Sequence, residues 1–188
     1  MSRFSRLLID PNRGADDPTL IMRLSDGAVV PGNARIGPAE RNLRLERYYE
    51  PYHRAVERAI DGATARGRPP ALVSMHSFTP FWKGVPRPWE IGILWDEDAR
   101  LPVPMIEMLA RDPALTVGDN EPYTGTLTGD TMYRHGTMKG LAHALIEIRQ
   151  DLIAEAAGQA WWADRLGEVL EALAGTPELN EIRLPAAA

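Results

Sequence analysis

The sequence contains no cysteine and no apolar run long enough to cross a membrane. Disulfides, thiolate metal sites and cysteine nucleophiles are therefore excluded, and any metal must be held by histidine and carboxylate side chains. A helix that spans a bilayer needs roughly 20 apolar residues. The first residues also lack the apolar segment of a signal peptide. We therefore expect a cytoplasmic protein that has no membrane partner.

The sequence also has fewer positive than negative charges. The chain carries 21 Lys and Arg residues against 26 Asp and Glu residues, a net charge of −5, and it has no basic run. Binding to a phosphate backbone requires a basic surface, so nucleic acid is not expected as a partner. With 188 residues, 44 % of them hydrophobic, the chain is long enough for one core. We predict a single domain over residues 1–188.

Short apolar runs alternate with segments of helical periodicity, which predicts an α/β fold with a mainly parallel or mixed central sheet flanked by helices. The continuous run Ala71–His76 is typical of a central strand in such a sheet. The other predicted strands are Arg6–Asp10, Ile91–Trp95, Leu115–Val117 and Ala142–Ile148. The predicted helices run from Pro38 to about Arg66, where Pro51 must break or restart the helix, and over Met105–Arg111, Thr131–Lys139 and Gln159–Ala174.

Polar side chains stand at the ends of three predicted strands. Ligands of open α/β sheets collect at the carboxyl ends of strands, so these residues are candidates for a binding site. Each has a plainer interpretation, because His76 also fits a core histidine and Asn12 with Arg13 also fit a surface turn. The candidates are Asp10, Asn12 and Arg13 after the first strand, His76 and Ser77 after the second, and Glu147 with Arg149 in the last.

Glu147 is the most informative of these residues, because it lies between Ile146 and Ile148 in a predicted strand. A carboxylate in that setting has to be paired, metal-bound or shifted in pKa. A metal-dependent hydrolase needs such a group to accept a proton from water, and it needs a planar guanidinium to bind a substrate carboxylate. Arg13 has the right chemistry for the second task.

The other histidines are weaker candidates. His53 and Glu57 share one face of the long helix, where a solvated polar pair is a more common arrangement than a metal site. His143 and Glu147 share one side of a strand, but about 3.3 Å per residue separates them by about 13 Å, too far for one ion. His135 fits either a polar contact to substrate or a surface position.

Aromatic residues leave similar alternatives. Tyr123, between Pro122 and Gly125, fits a loop residue packed on the surface or a group that hydrogen-bonds a bound substrate. Trp161 and Trp162 are adjacent in a predicted helix, so they cannot both face its buried side, and one of them is expected to cover another surface.

Five ordered blocks of the chain resemble the N-formylglutamate amidohydrolase family, relatives of the zinc carboxypeptidases and aspartoacylase. The resemblance extends from Arg3 to about Leu173. The blocks are Ser5–Arg13, Met75–Pro80, Arg87–Trp89 with Gly92–Trp95, Asp119–Tyr123 and Leu145–Ile153.

The resemblance implies a zinc-carboxypeptidase-like fold of the phosphorylase/hydrolase type and hydrolysis of the amide bond of an N-formyl or other N-acyl amino acid. It implies that Asn12 and Arg13 bind the substrate carboxylate and that His76 is a zinc ligand. It further implies that Glu147 is the general base and that Arg149, counted with the substrate-binding residues, steadies Glu147 or the charge of the site. His135 would then lie beside the pocket as a substrate contact, and Tyr123 is a further candidate.

The chain departs from the family pattern at its start. Family members carry an upstream segment in which a histidine near an acidic residue supplies the other zinc ligands, and this sequence begins after that point. We expect either a truncated or mis-started copy of an enzyme, or a short form that has lost its metal. The alternative to an enzyme is therefore a metal-free, non-catalytic relative that binds a small carboxylate ligand. An uncovered first strand would favour pairing between copies, which leaves a homo-oligomer as an alternative to a monomer.

Overall fold

The computed structural model describes residues 3–25 and 27–185, and they form an α/β fold with a mixed sheet and flanking helices. The strands in this part of the chain are β1 (Leu24–Ser25), β2 (Ala28–Val29), β3 (Leu72–Phe78), β4 (Phe81–Trp82), β5 (Val85–Pro86), β6 (Ile91–Leu94), β7 (Val117–Asp119) and β8 (His143–Arg149). The α-helices are α1 (Pro38–Arg44), α2 (Glu50–Thr64), α3 (Pro102–Leu109), α4 (Thr131–His135) and α5 (Ala156–Leu173). A π-helix covers Leu45–Tyr49, and 3₁₀-helices cover Thr137–Lys139, Gln150–Ile153 and Pro177–Asn180.

The chain divides into two compact units. Unit 1 consists of Met1–Arg68 and Leu127–His135, and unit 2 of Pro69–Thr126 and Gly136–Ala188. None of the helices in the described ranges is long and apolar enough to span a bilayer.

Unit 1 is built on one long helical segment. Helix α1, the π-helix and α2 follow one another without a break from Pro38 to Thr64, which confirms the predicted helix. Pro51 lies in the first turn of α2, and the wider π turn precedes it, where the Glu50 N–H donates to the Leu45 carbonyl. Because proline has no N–H for the helical ladder, a local π turn lets the helix restart without ending.

The predicted first strand, Arg6–Asp10, is wrong, since these residues form a turn and an extended segment outside any sheet. Side chains from elsewhere in unit 1 donate hydrogen bonds to the backbone carbonyls that would bond to a neighbouring strand. The Leu7 carbonyl accepts a hydrogen bond from Asn33 Nδ2 at 2.7 Å, and the Leu8 carbonyl accepts one from Arg44 Nη1 at 2.8 Å. The apolar run is buried nonetheless, with Ile9 fully inaccessible. The argument for chain pairing through this strand therefore loses its basis, and a homo-oligomer stays a prediction.

Unit 2 contains a four-stranded sheet in the order β3-β8-β6-β7. Strands β3 and β8 are parallel, β8 and β6 antiparallel, and β6 and β7 parallel. Strand β3 lies at the edge of this sheet, so the central position predicted for Ala71–His76 is wrong. An edge strand has a neighbour on one side only, and Met75 is accordingly 54 % exposed.

One face of this sheet carries the core of unit 2. Strands β6 and β8 bury alternate isoleucines there, against helices α3 and α5. Trp162 of α5 is buried, whereas Trp161 is 46 % exposed, which confirms that the two adjacent tryptophans do not share the core. The opposite face of the sheet carries Glu147, because side chains alternate along a strand.

Candidate functional site

His76 and Glu147 are direct neighbours in unit 2. In the parallel pair of β3 and β8 they occupy the same register position. Residues paired in this way project to the same face of a sheet, so an imidazole and a carboxylate lie side by side there. We call this pair the sheet site. The predicted metal ligand His76 and the predicted general base Glu147 are thus neighbours within unit 2.

The surroundings of Glu147 explain how a carboxylate is tolerated in a buried strand. Glu147 is 7 % exposed, and its partner on the other side is Gly92 of β6. Gly92 adds no side chain beside the carboxylate, and the Glu121 carbonyl occupies the position where its Cβ would lie. His76 is positioned from its own strand, because its Nε2 atom lies 3.0 Å from the Ser74 hydroxyl.

A loop packs on the glycines next to the sheet site. A Cβ at Gly92 would overlap the Glu121 carbonyl, and a Cβ at Gly118 would lie 2.7 Å from the same oxygen. The loop is held from within, since Asn120 Oδ1 accepts hydrogen bonds from the Trp95 N–H at 2.9 Å and the Gly125 N–H at 3.0 Å. This arrangement places Tyr123 in the loop that covers this face of β6 and β7.

Tyr123 makes a polar contact that the sequence did not indicate. Its hydroxyl accepts a hydrogen bond from Arg87 Nη1 at 3.0 Å, while its side chain stays 41 % exposed. A role for Tyr123 in substrate binding stays a prediction. Arg87 was missed as a functional residue, although it stands in the block Arg87–Trp89 that carries part of the family resemblance.

Arg149 is occupied by structural partners. Its guanidinium pairs with Glu90 at 3.0 Å and Asp151 at 2.9 Å, and it also donates to the Trp89 carbonyl. Burial alone would lower the pKa of Arg149, but the hydrogen bonds and charges of Asp151 and Glu90 raise it above its usual value. Arg149 therefore fixes the loop that precedes β6. Its predicted role beside Glu147 is untested.

Asn12 and Arg13 belong to unit 1, in a loop whose conformation is fixed by hydrogen bonds. Buried Asp10 accepts from the Asn12 N–H at 2.9 Å, and Asn12 Oδ1 accepts from the Thr131 N–H at 3.2 Å. Tyr49 donates its hydroxyl to the Arg13 carbonyl at 2.8 Å. We call this group the loop site.

The guanidinium of Arg13 retains capacity for a ligand. It donates to the Thr19 hydroxyl at 3.2 Å and to the Asn12 carbonyl at 3.1 Å, and within residues 3–25 and 27–185 it has no carboxylate partner within ion-pair distance. A half-buried arginine of this kind suits a small carboxylate. The carboxylate role predicted for Asn12 and Arg13 remains a prediction.

His53 and His135 form a buried pair in unit 1. Both are fully inaccessible, and His53 Nδ1 lies 2.8 Å from His135 Nε2. The interpretation of His53 and Glu57 as a solvated pair is therefore wrong, because helix α2 turns His53 inward beside the Tyr49 ring. Glu57 instead pairs with Arg134 at 3.6 Å. His135 is not a surface residue, and its contact with substrate is untested.

Burial holds His53 in the neutral form. The loss of hydration, and after it the Arg134 guanidinium and the His135 ring, lower the pKa of His53, while the Pro11 backbone opposes them, and the pKa that results is about 3. A neutral imidazole has one N–H donor and one acceptor nitrogen, as a ring-to-ring hydrogen bond requires. His53 was undervalued, although Tyr49, His53 and Ile60 repeat at spacings that place them on one helix face.

The described residues do not fit a zinc site of the usual kind. A catalytic zinc takes three protein ligands, and no group of three or more histidine, aspartate or glutamate side chains in the described ranges is arranged to hold a metal. His143 is engaged elsewhere, since its Nδ1 atom lies 2.8 Å from the Leu141 carbonyl and its Nε2 atom 3.2 Å from the Thr137 hydroxyl.

The chain is similar to known proteins in sequence and in structure. The family model for N-formylglutamate amidohydrolase matches residues 1–154. The crystal structure of gene product Atu2144 from Agrobacterium tumefaciens superposes with a TM-score of 0.87 at 39 % identity, over 94 % of this chain and 70 % of that chain. An N-formylglutamate amidohydrolase from Ralstonia eutropha JMP134 superposes with a TM-score of 0.65 at 25 % identity, over 91 % of this chain and 73 % of that chain. No functionally curated protein matches the chain.

Proposed function

Because the chain belongs to the N-formylglutamate amidohydrolase family, whose members hydrolyse amide C–N bonds, we propose that it cleaves the amide bond of N-formylglutamate or a closely related N-acyl amino acid. The register of His76 and Glu147 is the observation that carries this proposal. It sets a buried carboxylate beside an imidazole on one face of the sheet.

The chemistry assigned to Glu147 is general acid–base catalysis. Glu147 accepts a proton from water while the water oxygen forms a bond to the amide carbonyl carbon. The same proton then passes to the nitrogen as the C–N bond breaks, which releases a carboxylic acid and a free amine. For an N-formyl substrate the acid is formate.

His76 is assigned to the same reaction as a second polar group, since it lies next to Glu147 and is held by Ser74. Zinc binding through His76 is a separate prediction, based on the family resemblance alone. Metal analysis of the purified full chain tests it. One equivalent of zinc that is lost in His76→Ala supports the prediction, and zinc content that is unchanged in His76→Ala contradicts it.

Substrate binding is assigned to Asn12 and Arg13, with His135, Tyr123 and Arg149 as further candidates. Support comes from the loop site itself, where hydrogen bonds from Thr131 and Tyr49 fix the loop and Arg13 has no carboxylate partner among the described residues. Arg13→Lys keeps the positive charge but loses the planar fork. We expect a higher KM with little change in kcat. An unchanged KM would contradict the assignment.

Hydrolysis of N-formylglutamate by the purified chain tests the proposed function. We expect formate and glutamate in equal amounts, with kcat lowered about 10²- to 10⁴-fold by Glu147→Gln. Glu107→Gln, an exposed change on α3 of the same unit, is the matched control and should keep full activity. Binding of N-formylglutamate without any release of formate would instead support the alternative, a non-catalytic carboxylate-binding relative.

A further inference from the structure

Arg87 is a buried arginine that has no acidic partner in the part of the chain that the structure describes. Its side chain is 9 % exposed, and it forms no ion pair with a carboxylate of the described ranges. Other well-buried arginines differ in this respect, since Arg44 pairs with Glu40, Arg100 with Asp98 and Arg149 with Glu90. A buried cation is costly unless an opposite charge compensates it. The missing charge at Arg87 is one that a ligand can supply.

Aromatic rings surround this guanidinium. Its central carbon lies 5.6 Å from the ring centre of Phe78, 5.3 Å from that of Trp82 and 5.0 Å from that of Tyr123. Ring faces attract a cation, and they leave the edge of a flat guanidinium for hydrogen bonds. Of the polar contacts of Arg87, those to the Tyr123 hydroxyl and to Thr79 use Nη1 alone. The Nε and Nη2 groups therefore remain for a ligand.

Hydrogen bonds of its backbone hold Arg87 in place, and two of its neighbours are exposed. Its N–H donates to the Pro80 carbonyl at 2.8 Å, and its own carbonyl accepts from Arg149 Nη1 at 3.5 Å. Trp82 is 49 % exposed and Tyr123 is 41 % exposed, so two of the three rings around the guanidinium face solvent.

Arg87 stands beside the sheet site within unit 2. Phe78 is two residues beyond His76 on β3, so both project to the same face of the sheet. Two residues of a strand span about 6–7 Å. The guanidinium lies on the ring of Phe78, and Phe78 is two residues along β3 from His76, the register partner of Glu147. Arg87 is therefore close to the carboxylate assigned to the hydrolysis.

From this arrangement we propose that Arg87 is a specificity-determining residue that binds the side-chain carboxylate of the substrate. The proposal rests on the proposed function, and it concerns only the second of the two carboxylates of an N-acyl glutamate, the one at the end of the side chain. Replacement of that terminal carboxylate by an amide leaves Arg87 without its counter-charge.

The test compares N-formylglutamate with N-formylglutamine, which has the same shape but no side-chain charge. We expect the wild type to prefer N-formylglutamate. We expect Arg87→Met to lower the kcat/KM for N-formylglutamate about 30- to 100-fold, mainly through KM. The kcat/KM for N-formylglutamine should change less than about threefold. Arg111→Met, an exposed change in the same unit, is the matched control and should leave both values unchanged.

Three results would overturn the proposal. Equal losses for both substrates would assign Arg87 to the other carboxylate or to structure, and no loss for either would remove it from the site. If Arg87→Met does not fold, Arg87→Lys decides, because it keeps the charge without the flat fork. We expect Arg87→Lys to reduce the ratio of the two kcat/KM values, and an unchanged ratio would contradict the assignment.

Failure of the proposed function would be visible separately. If the wild type hydrolyses neither substrate, calorimetric binding of N-formylglutamate still reports on Arg87. Weaker binding in Arg87→Met, with unchanged binding in Arg111→Met, would support the site and reject the reaction. Equal binding in the wild type and Arg87→Met would reject the site.

Discussion

His53 Nδ1 and His135 Nε2 share a hydrogen bond of 2.8 Å, with both rings fully buried. The pair joins α2 to α4, and α4 also carries Thr131, which hydrogen-bonds Asn12 in the loop site. The two rings thus belong to the framework that fixes the candidate carboxylate-binding loop. Since a ring-to-ring hydrogen bond needs an acceptor nitrogen, the arrangement depends on a neutral imidazole.

The first prediction is a loss of stability as the pH falls. The pKa of His53 is lowered by burial to about 3 in the folded chain, whereas the unfolded chain takes up the same proton near pH 6.5. Between these pKa values the unfolded state binds one proton more than the folded state. The contribution of His53 to the free energy of unfolding is therefore complete above pH 6.5 and decreases as the pH falls below it. We expect the free energy of unfolding to fall about 2 kcal/mol more between pH 7 and pH 5 in the wild type than in His53→Gln.

Urea unfolding followed by far-ultraviolet circular dichroism measures this difference. Circular dichroism is the suitable signal, because the five tryptophans all lie in unit 2 whereas the histidine pair is in unit 1. The same pH dependence in the wild type and His53→Gln would show that His53 is not held neutral by the fold.

The second prediction concerns the Tyr49 hydroxyl, which donates to the Arg13 carbonyl at 2.8 Å. Burial raises the pKa of Tyr49, so the hydroxyl keeps its proton at neutral pH. We expect Tyr49→Phe to cost about 1 kcal/mol of stability and to raise the KM for N-formylglutamate with little effect on kcat, since the loop loses a fixed contact.

Tyr52→Phe is the matched control for Tyr49→Phe. Tyr52 stands one turn further along the same helical segment, and its hydroxyl has no hydrogen bond to a residue in the described ranges. A split between KM and kcat that appears in Tyr49→Phe but not in Tyr52→Phe supports the positioning role. A loss of stability with unchanged KM would restrict Tyr49 to a structural role.

The third prediction concerns Gly92, which stands opposite Glu147 and beneath the Glu121 carbonyl. We expect Gly92→Ala to destabilise the protein by about 1–3 kcal/mol, because the added methyl group overlaps a backbone oxygen. It should also lower activity, since the loop that carries Tyr123 has to move.

Gly167→Ala provides the opposite case for the same substitution. Gly167 lies in α5, and an added Cβ meets no atom of the described residues within 4 Å. Alanine is the better helix former by about 0.5–1 kcal/mol, so this variant should be slightly more stable. Comparable destabilisation at both positions would show that overlap with the Glu121 carbonyl is not the cause at Gly92.

Much of unit 2 follows from local sequence patterns. The continuous apolar runs at Ile91–Leu94 and around Ile146 predict buried strands, and both are central in the sheet. The position of Glu147 between two isoleucines also identifies it as an unusual carboxylate. Strand order is a different matter, because a run such as Ala71–His76 gives no signal of how many neighbours it has.

The errors in unit 1 have two physical causes. At Arg6–Asp10 the outcome depends on Asn33 and Arg44, which lie far away in sequence and take the backbone carbonyls that a strand would use. Such long-range competition leaves no trace in a local apolar run. At His53 the helical spacing to Tyr49 and Ile60 favours a buried position, but the ring that makes burial of the imidazole possible is that of His135, 82 residues away in sequence.

Arg87 shows a third kind of difficulty. Its three aromatic neighbours stand on β3, on β4 and in the loop at Tyr123, and the absence of a carboxylate partner among the described residues is visible only once these parts of unit 2 are packed. The sequence block Arg87–Trp89 marks the region without indicating the chemistry. Specificity depends on such assembled surroundings more than on any short motif.

The central claim, that His76 and Glu147 form one hydrolytic site, is tested most directly by a double-mutant cycle. The measurement is kcat/KM for N-formylglutamate in the wild type, His76→Ala, Glu147→Gln and the double variant. Residues that act as a unit give losses that are far from additive. We predict that the double variant is little slower than the worse single variant. Fully additive losses, or formate release that is insensitive to both changes, would contradict the account.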